Sequence, residues 1–265
     1  GQDRDGQIKT RYAYLRWDQR AGAFAEIDMY PNPFTVTGGE EGQDWRYDAE
    51  SHTLYIFSAQ VTALSGGLGV DAEQLPFSGK IVLTDGVTCR VPVGRAFSLG
   101  RENDVTLLLE SGRDNRFKSG RGYAGISLRD GASLCIDCAA ARSSRDPDGT
   151  LTASGGAGGA GIGRDSGAGR DQASRILIRG GVITASGAGG GAGIGAGKHS
   201  SMGPVTILGG SITATGGKGG GAGIGGALGA PVGDISIQGG SITAVALDHA
   251  AAIGAGMQGA SGSIL

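Results

Sequence analysis

The sequence predicts an all-β chain: a parallel β-helix of about six three-strand coils, each of roughly 30 residues, behind a short β-rich lead-in. Three observations predict it. Glycine is abundant and unevenly placed, the same three apolar words return at a near-constant interval, and those words alternate with period two.

There are 55 glycines in 265 residues, about three times ordinary usage. Collagen is excluded, because only 7 prolines are present and no strict third-residue glycine period exists. Residues 1 to 123 hold sixteen glycines and all fourteen aromatics, whereas residues 124 to 265 hold the remaining thirty-nine glycines and no aromatic. In the second part Leu151-Thr152-Ala153-Ser154-Gly155 returns as Ile183-Thr184-Ala185-Ser186-Gly187, Ile212-Thr213-Ala214-Thr215-Gly216 and Ile242-Thr243-Ala244-Val245-Ala246, at offsets of 32, 29 and 30. Ala-Gly-Ile-Gly stands at 160–163, 192–195 and 222–225, then as Ala251-Ala252-Ile253-Gly254. An apolar-x-apolar word precedes each Gly-Gly pair, at Ile176/Ile178, Val205/Ile207 and Ile235/Ile237. A unit of this size cannot bury its own apolar face, so copies must stack.

The words are short, β-branched and bounded by glycine, which makes them strands rather than helices. Alternation points Ile183, Ala185, Ile212, Ala214, Ile242 and Ala244 inward and Thr184, Ser186, Thr213 and Thr215 to solvent. Gly180-Gly181, Gly209-Gly210 and Gly239-Gly240 fall at the corner between the first two strands, where positive φ is expected. The first strand column extends back through Leu134/Ile136, Val105/Leu107/Leu109 and Ile81/Leu83, and Tyr123-Ala124-Gly125-Ile126 reads as an early Ala-Gly-Ile-Gly. The expected division is therefore a lead-in or cap at 1–77 and a repeat domain at 78–265. Within the lead-in, Trp45-Arg46-Tyr47-Asp48 reads as a turn that leads into a strand at 51–56. With Gly1 in place of an initiator methionine, the sequence reads as a processed or engineered soluble piece. Gly262-Ser263-Ile264-Leu265 reads as the opening of another first-column strand.

Gly149 to Gly156 leading into Gly158-Gly159-Ala160-Gly161-Ile162-Gly163, followed by Gly-Gly-x-Ile-Thr-Ala, resembles the glycine-rich repeats of bacterial extracellular surface proteins. Tyr14-Leu15-Arg16-Trp17 and Trp45 to Ala49 are similar to the segments that precede such repeats. The resemblance covers most of the chain. It implies a secreted or cell-surface protein that binds a glycan or polysaccharide, or acts as an adhesin, with no cofactor. Its motifs specify corners and core, so no single residue carries that function.

Net charge is −2, which leaves no electrostatic footprint for nucleic acid. No apolar run approaches the roughly 18 residues of a membrane-spanning helix, so membrane insertion is not expected. Gly156 to Gly161 matches G-x-G-x-x-G in letters, yet no helical pattern follows it. Gly197-Lys198-His199 fails as a phosphate loop, with Ala192 where the first glycine belongs and His199 where Ser or Thr belongs. Cys135 and Cys138 form a lone C-x-x-C, with Cys89 the only other cysteine, and are expected as free thiols, with a disulfide as the alternative if a turn lies between them, rather than as a zinc site. Asp165, Asp171, Asp234 and Asp248 are the carboxylates a β-helical glycoside hydrolase or lyase would draw on, and this enzyme is the alternative reading.

The corner after Ala-Gly-Ile-Gly varies most: Arg164-Asp165-Ser166, then Lys198-His199-Ser200, then Ala227-Leu228-Gly229, with Asp165 read as lining up with Lys198 or His199. Variable polar loops on one edge of a solenoid are the usual place for a binding surface. Arg164, Asp165, Lys198, His199 and Tyr123 are therefore the candidate ligand-binding residues, with Trp17, Trp45 and Tyr47 as further aromatic candidates for stacking on a sugar. The outward Thr152/Ser154, Thr184/Ser186, Thr213/Thr215 and Thr243/Val245 pairs form a two-column array that also resembles an ice-binding face.

Overall fold

The computed structural model describes residues 42, 44–57, 76–139, 148–169 and 174–265, together with the backbone of strands Tyr14–Asp18, Ala23–Ile27, Thr35–Thr37, Gln60–Val61 and Leu68–Asp71. The chain forms two compact units, 1–33 and 34–265. In the first, Tyr14–Asp18 and Ala23–Ile27 pair as an antiparallel hairpin.

The second unit is a β-solenoid. Strands Ser78–Leu83, Asp104–Leu109, Ser133–Cys138, Arg175–Ile178, Val205–Ile207 and Ile235–Ile237 form the first sheet, each paired in parallel with the next. Strands Thr88–Arg90, Asp114–Lys118, Thr150–Ser154, Val182–Ser186, Ser211–Thr215 and Ser241–Val245 form the second. The third runs through Phe97–Leu99, Ile126–Leu128, Ile162–Gly163, Ile194–Gly195, Ile224–Gly225 and Ile253–Gly254. Six coils thus follow from Ser78, each contributing one strand to every sheet. Thr53–Ile56, Gln60–Val61 and Leu68–Asp71 extend the same sheets ahead of it. No helix occurs among the described residues.

Ahead of these coils the first sheet ends on an antiparallel strand, Trp45–Asp48 against Thr53–Ile56, and the third ends on Thr35–Thr37 against Leu68–Asp71. Residues 45–48 are therefore a strand, not the expected turn. Trp45 faces the core while Arg46 faces out, and the turn comes at 49–52, where His52 takes φ 48°. An antiparallel end strand changes the hydrogen-bonding pattern of the edge and protects it from further parallel pairing. At the other end Ile264 pairs with Ile235 in parallel, the first-sheet position expected from the sequence.

The interior is one apolar cluster that passes through every coil from Leu54 to Ile235. Ile183, Ala185, Ile212 and Ala214 are fully buried, and Thr184 and Thr213 stand exposed, as the period-two pattern requires. Ile242, Ala244 and Ile253 in the last full coil are partly buried. Asn115 occupies an inward position in the second sheet. It is satisfied by its neighbours: its side-chain oxygen accepts from Val87 N–H at 2.9 Å, and its amide donates to Thr150 C=O at 3.1 Å.

Glycine marks the places where successive walls meet. Gly181, Gly210 and Gly240 turn the corner between the first and second sheets with φ of 96°, 96° and 94°. In the third sheet Gly163, Gly195 and Gly225 stack at φ of 138°, 135° and 134°. A Cβ on Gly195 would lie 2.1 Å from the carbonyl oxygen of Gly225 in the next coil.

Gly195→Ala is expected to lower stability by about 2 kcal/mol or more, because positive φ and a backbone clash coincide there. Thr184→Ala, on the solvent side of the same coil, should change it by about 0.5 kcal/mol or less. Urea titrations of the two variants check the contrast, and equal midpoints would contradict the stacking.

Candidate functional site

The pairing of Gly163, Gly195, Gly225 and Gly254 fixes the register of the corner that follows them. Arg164 stands level with Ala196, Gly226 and Ala255, and Asp165 level with Gly197, Ala227 and Gly256. Ser166 falls in one row with Lys198, Leu228 and Met257, and Gly167 in one row with His199, Gly229 and Gln258. The backbone bonds agree: Gly167 N–H donates to Lys198 C=O, His199 N–H to Leu228 C=O, and Gly229 N–H to Met257 C=O. This corrects the sequence alignment, which paired Asp165 with Lys198 or His199. Gly167, His199, Gly229 and Gln258 all adopt positive φ, 57° in His199.

Arg164 is fully enclosed. One guanidinium nitrogen donates to Leu128 C=O at 3.1 Å and Ser174 Oγ at 3.3 Å, and the other to Asp130 Oδ1 and to Gly169 C=O at 3.3 Å. Its Nε is buried with no hydrogen-bond partner. The Arg164 guanidinium beside Asp130 holds that carboxyl below its ordinary range, against the opposing effect of burial. Such a pair ties one coil to the next and offers no open face to a ligand.

Asp165 is almost as enclosed and ties three coils together. Its Oδ2 accepts from Arg95 Nε at 2.7 Å, and its Oδ1 from Ala124 N–H at 2.7 Å. Arg95 in turn lies over the ring of Tyr123, 4.7 Å from its centroid, so one face of that ring is occupied by a cation. Lys198 and His199 sit one coil further on. Lys198 is half-buried and His199 exposed, and the His199 ring fills the space beside Gly229. The structure thus joins Tyr123 and Asp165 through Arg95, buries Arg164 apart from solvent, and leaves His199 as the exposed member of the set.

Two of the other candidate carboxylates are also committed to the fold. Asp234 Oδ1 accepts from Ser263 N–H at 2.8 Å, and Asp248 Oδ2 from Gly219 N–H at 2.9 Å. Asp171 and the Trp17 side chain lie outside the described residues. Trp45 is buried in the core, and Tyr47 packs against it with its ring edge-on to Phe77. Cys135 and Cys138 are half-buried thiols, not disulfide partners, and burial pushes both above the usual thiol range. Among the described residues no group of three His, Cys, Asp or Glu side chains is placed to hold a metal ion.

What sequence reading passed over is the cationic end of the outer face of the second sheet. Thr88, Arg116, Thr152, Thr184, Thr213 and Thr243 are successive Cα partners in one row. Arg90, Lys118, Ser154, Ser186, Thr215 and Val245 form the next. Rows of this kind step by about 4.8 Å from coil to coil and lie about 7 Å apart along the strand. The hydroxyl part of the array was legible from the repeats; its cationic part was not. The face also carries Asp114, which Arg116 and the Thr150 hydroxyl bind. Burial raises this carboxyl, but those two hydrogen bonds outweigh it and the net shift is downward.

Comparison with protein-family models, with curated proteins and with solved structures returned no match.

Arg164→Met is expected to destabilise the chain by about 3 kcal/mol, since it strands the carbonyls and the carboxylate that the guanidinium serves. Because the Asp130 carboxyl is depressed in the folded state, its stabilising effect is present above the ordinary Asp range. It is lost as pH falls through about 4 toward the folded value. Asp130→Asn should therefore flatten the acid limb of a stability profile measured between about pH 7 and pH 3. An unchanged acid limb would contradict the pairing.

Proposed function

We propose that the chain is a non-catalytic carbohydrate-binding or adhesion module of a bacterial surface protein, secreted or held at the cell surface. The observation that carries this reading is the use made of its carboxylates. Asp165, Asp234 and Asp248, the three described members of the four carboxylates a β-helical hydrolase or lyase would draw on, each accept a backbone N–H, and Asp165 also binds Arg95. A carboxylate tied to the backbone in this way is a corner staple, whereas glycoside cleavage needs two carboxyls facing one another across a substrate. The repeat resemblance supports carbohydrate as the ligand, and the regular solenoid supports a display role, because stacked coils present long, flat outer faces.

The protein is expected to retain polysaccharide in affinity electrophoresis while producing no new reducing ends and no unsaturated uronate over a long incubation. Turnover that disappears in Asp165→Asn would overturn the non-catalytic reading in favour of an enzyme.

The in-register threonine row favours a second reading, an ice-binding face, because Thr152, Thr184, Thr213 and Thr243 repeat at one spacing. Thermal hysteresis and ice shaping at high protein concentration test it, and ice crystals that grow unshaped would remove it.

A further inference from the structure

The outer face of the second sheet is not uniform along the solenoid. Toward its N-terminal end Arg90 and Lys118 are Cα partners, and Thr88 and Arg116 are partners two residues earlier in the same strands. Arg90, Arg116 and Lys118 all point to solvent and are exposed, as is Arg121 three residues past Lys118. Four cations therefore occupy two adjacent coils, in a chain whose net charge is −2. The carboxylate Asp114 is bound by Arg116 and Thr150. Among the described residues no carboxylate lies within ion-pair distance of Arg90, Lys118 or Arg121. Like charges on neighbouring strands repel, and among the described residues Asp114 offsets Arg116 while no carboxylate offsets Arg90, Lys118 or Arg121. An anion laid across them would.

Two further features say what kind of anion fits. From the next coil onward the same rows carry hydroxyls, Thr152, Ser154, Thr184, Ser186, Thr213 and Thr215, so the cations open onto a polar track parallel to the coil axis. Val93, 69% exposed, stands beside Gly120 in the turn next to Arg121 and offers an apolar contact at the cationic end. No aromatic ring lies on this face among the described residues: Phe117 points into the core, and Tyr123 has one face covered by Arg95. Base stacking, the usual anchor of single-stranded nucleic acid, is therefore not provided there. Hydroxyls in rows suit a polymer that is itself rich in hydroxyls.

We propose that this face binds a linear anionic polysaccharide. Arg90, Lys118 and Arg121 take its acid groups, Arg116 supports them from the adjacent row, and the chain continues along the hydroxyl track of the later coils. The proposal rests on the carbohydrate reading above and names its ligand class and its place. It moves the binding surface from the corner of Arg164 and Asp165 to the second sheet.

Binding of the full chain to polygalacturonate, chondroitin sulfate, neutral dextran and a poly(dT) oligonucleotide, measured by calorimetry at about 0.15 M salt, tests it. The proposal expects binding to polygalacturonate or chondroitin sulfate, the two arms telling carboxylate from sulfate, and weakening as salt rises. Affinity should fall about tenfold or more in the triple variant Arg90→Gln, Lys118→Gln, Arg121→Gln. The control variant Lys80→Gln, Arg175→Gln, Arg179→Gln removes the same charge from the exposed side of the first sheet and should bind as the parent does. Equal losses in both triple variants would overturn the assigned face. Dextran bound as tightly as the acidic polymers would overturn the anionic class while leaving carbohydrate binding in place. Tighter binding of poly(dT) would overturn the choice of polysaccharide, and no binding to any polysaccharide would remove both this proposal and the carbohydrate reading.

Discussion

Coil-to-coil hydrogen bonding at a single spacing is the constraint on which the rest of the molecule depends. Every strand from Ser78 onward pairs in parallel with its equivalent one coil away, so the backbone of each coil must follow that of its neighbour along the strands. Side chains at the corners would prevent this. The Gly163, Gly195 and Gly225 column shows why: a methyl group at any of the three would meet the next coil's carbonyl oxygen. Apolar side chains then fill the interior in vertical rows, leucine and the Phe97–Phe117 pair in the earlier coils and chiefly isoleucine, valine and alanine in the later ones. Glycine composition and core composition are two consequences of one stacking distance.

The same constraint decides which residues are free to act. At the corner after the third sheet, two charges are absorbed into the stack: Arg164 with Asp130, and Asp165 with Arg95 and Ala124. These groups replace, in the earlier coils, the close backbone packing that glycine permits in the later ones. Most of the positions left without such a task are outward positions of the strands and exposed turn residues such as Arg121. On the second sheet those positions change from cations to hydroxyls along the axis, and this gradient is the most function-like feature of the described surface.

Much of the fold was legible because the repeat words carry both period and polarity. Ile183-Thr184-Ala185 states its inward and outward faces in three letters, and the offsets between its copies state the coil. The strand at 45–48 was not legible as such, because a run of only four alternating residues does not separate a strand from a turn. The corner register failed for a different reason. Ser166 and Ser200 invite alignment, yet the intervening segments differ in length, and only the glycine pairing places Ser166 beside Lys198. A signal for the burial of Arg164 did exist: its equivalents Ala196, Gly226 and Ala255 are all small, which marks a row facing inward. The cation cluster left no local trace, since Arg90 and Lys118 meet only through coils of unequal length.

Stacking in this register is tested most directly by distances along the threonine row. Spin labels at Thr88→Cys and Thr243→Cys, in a background with Cys89, Cys135 and Cys138 replaced, span five coil steps, or about 24 Å. Moving the second label from residue 243 to 213 and then to 184 should shorten the measured distance by about 4.8 Å each time. Distances that fail to step, or that scatter broadly at every position, would contradict the stacked register and with it the face on which the ligand is placed.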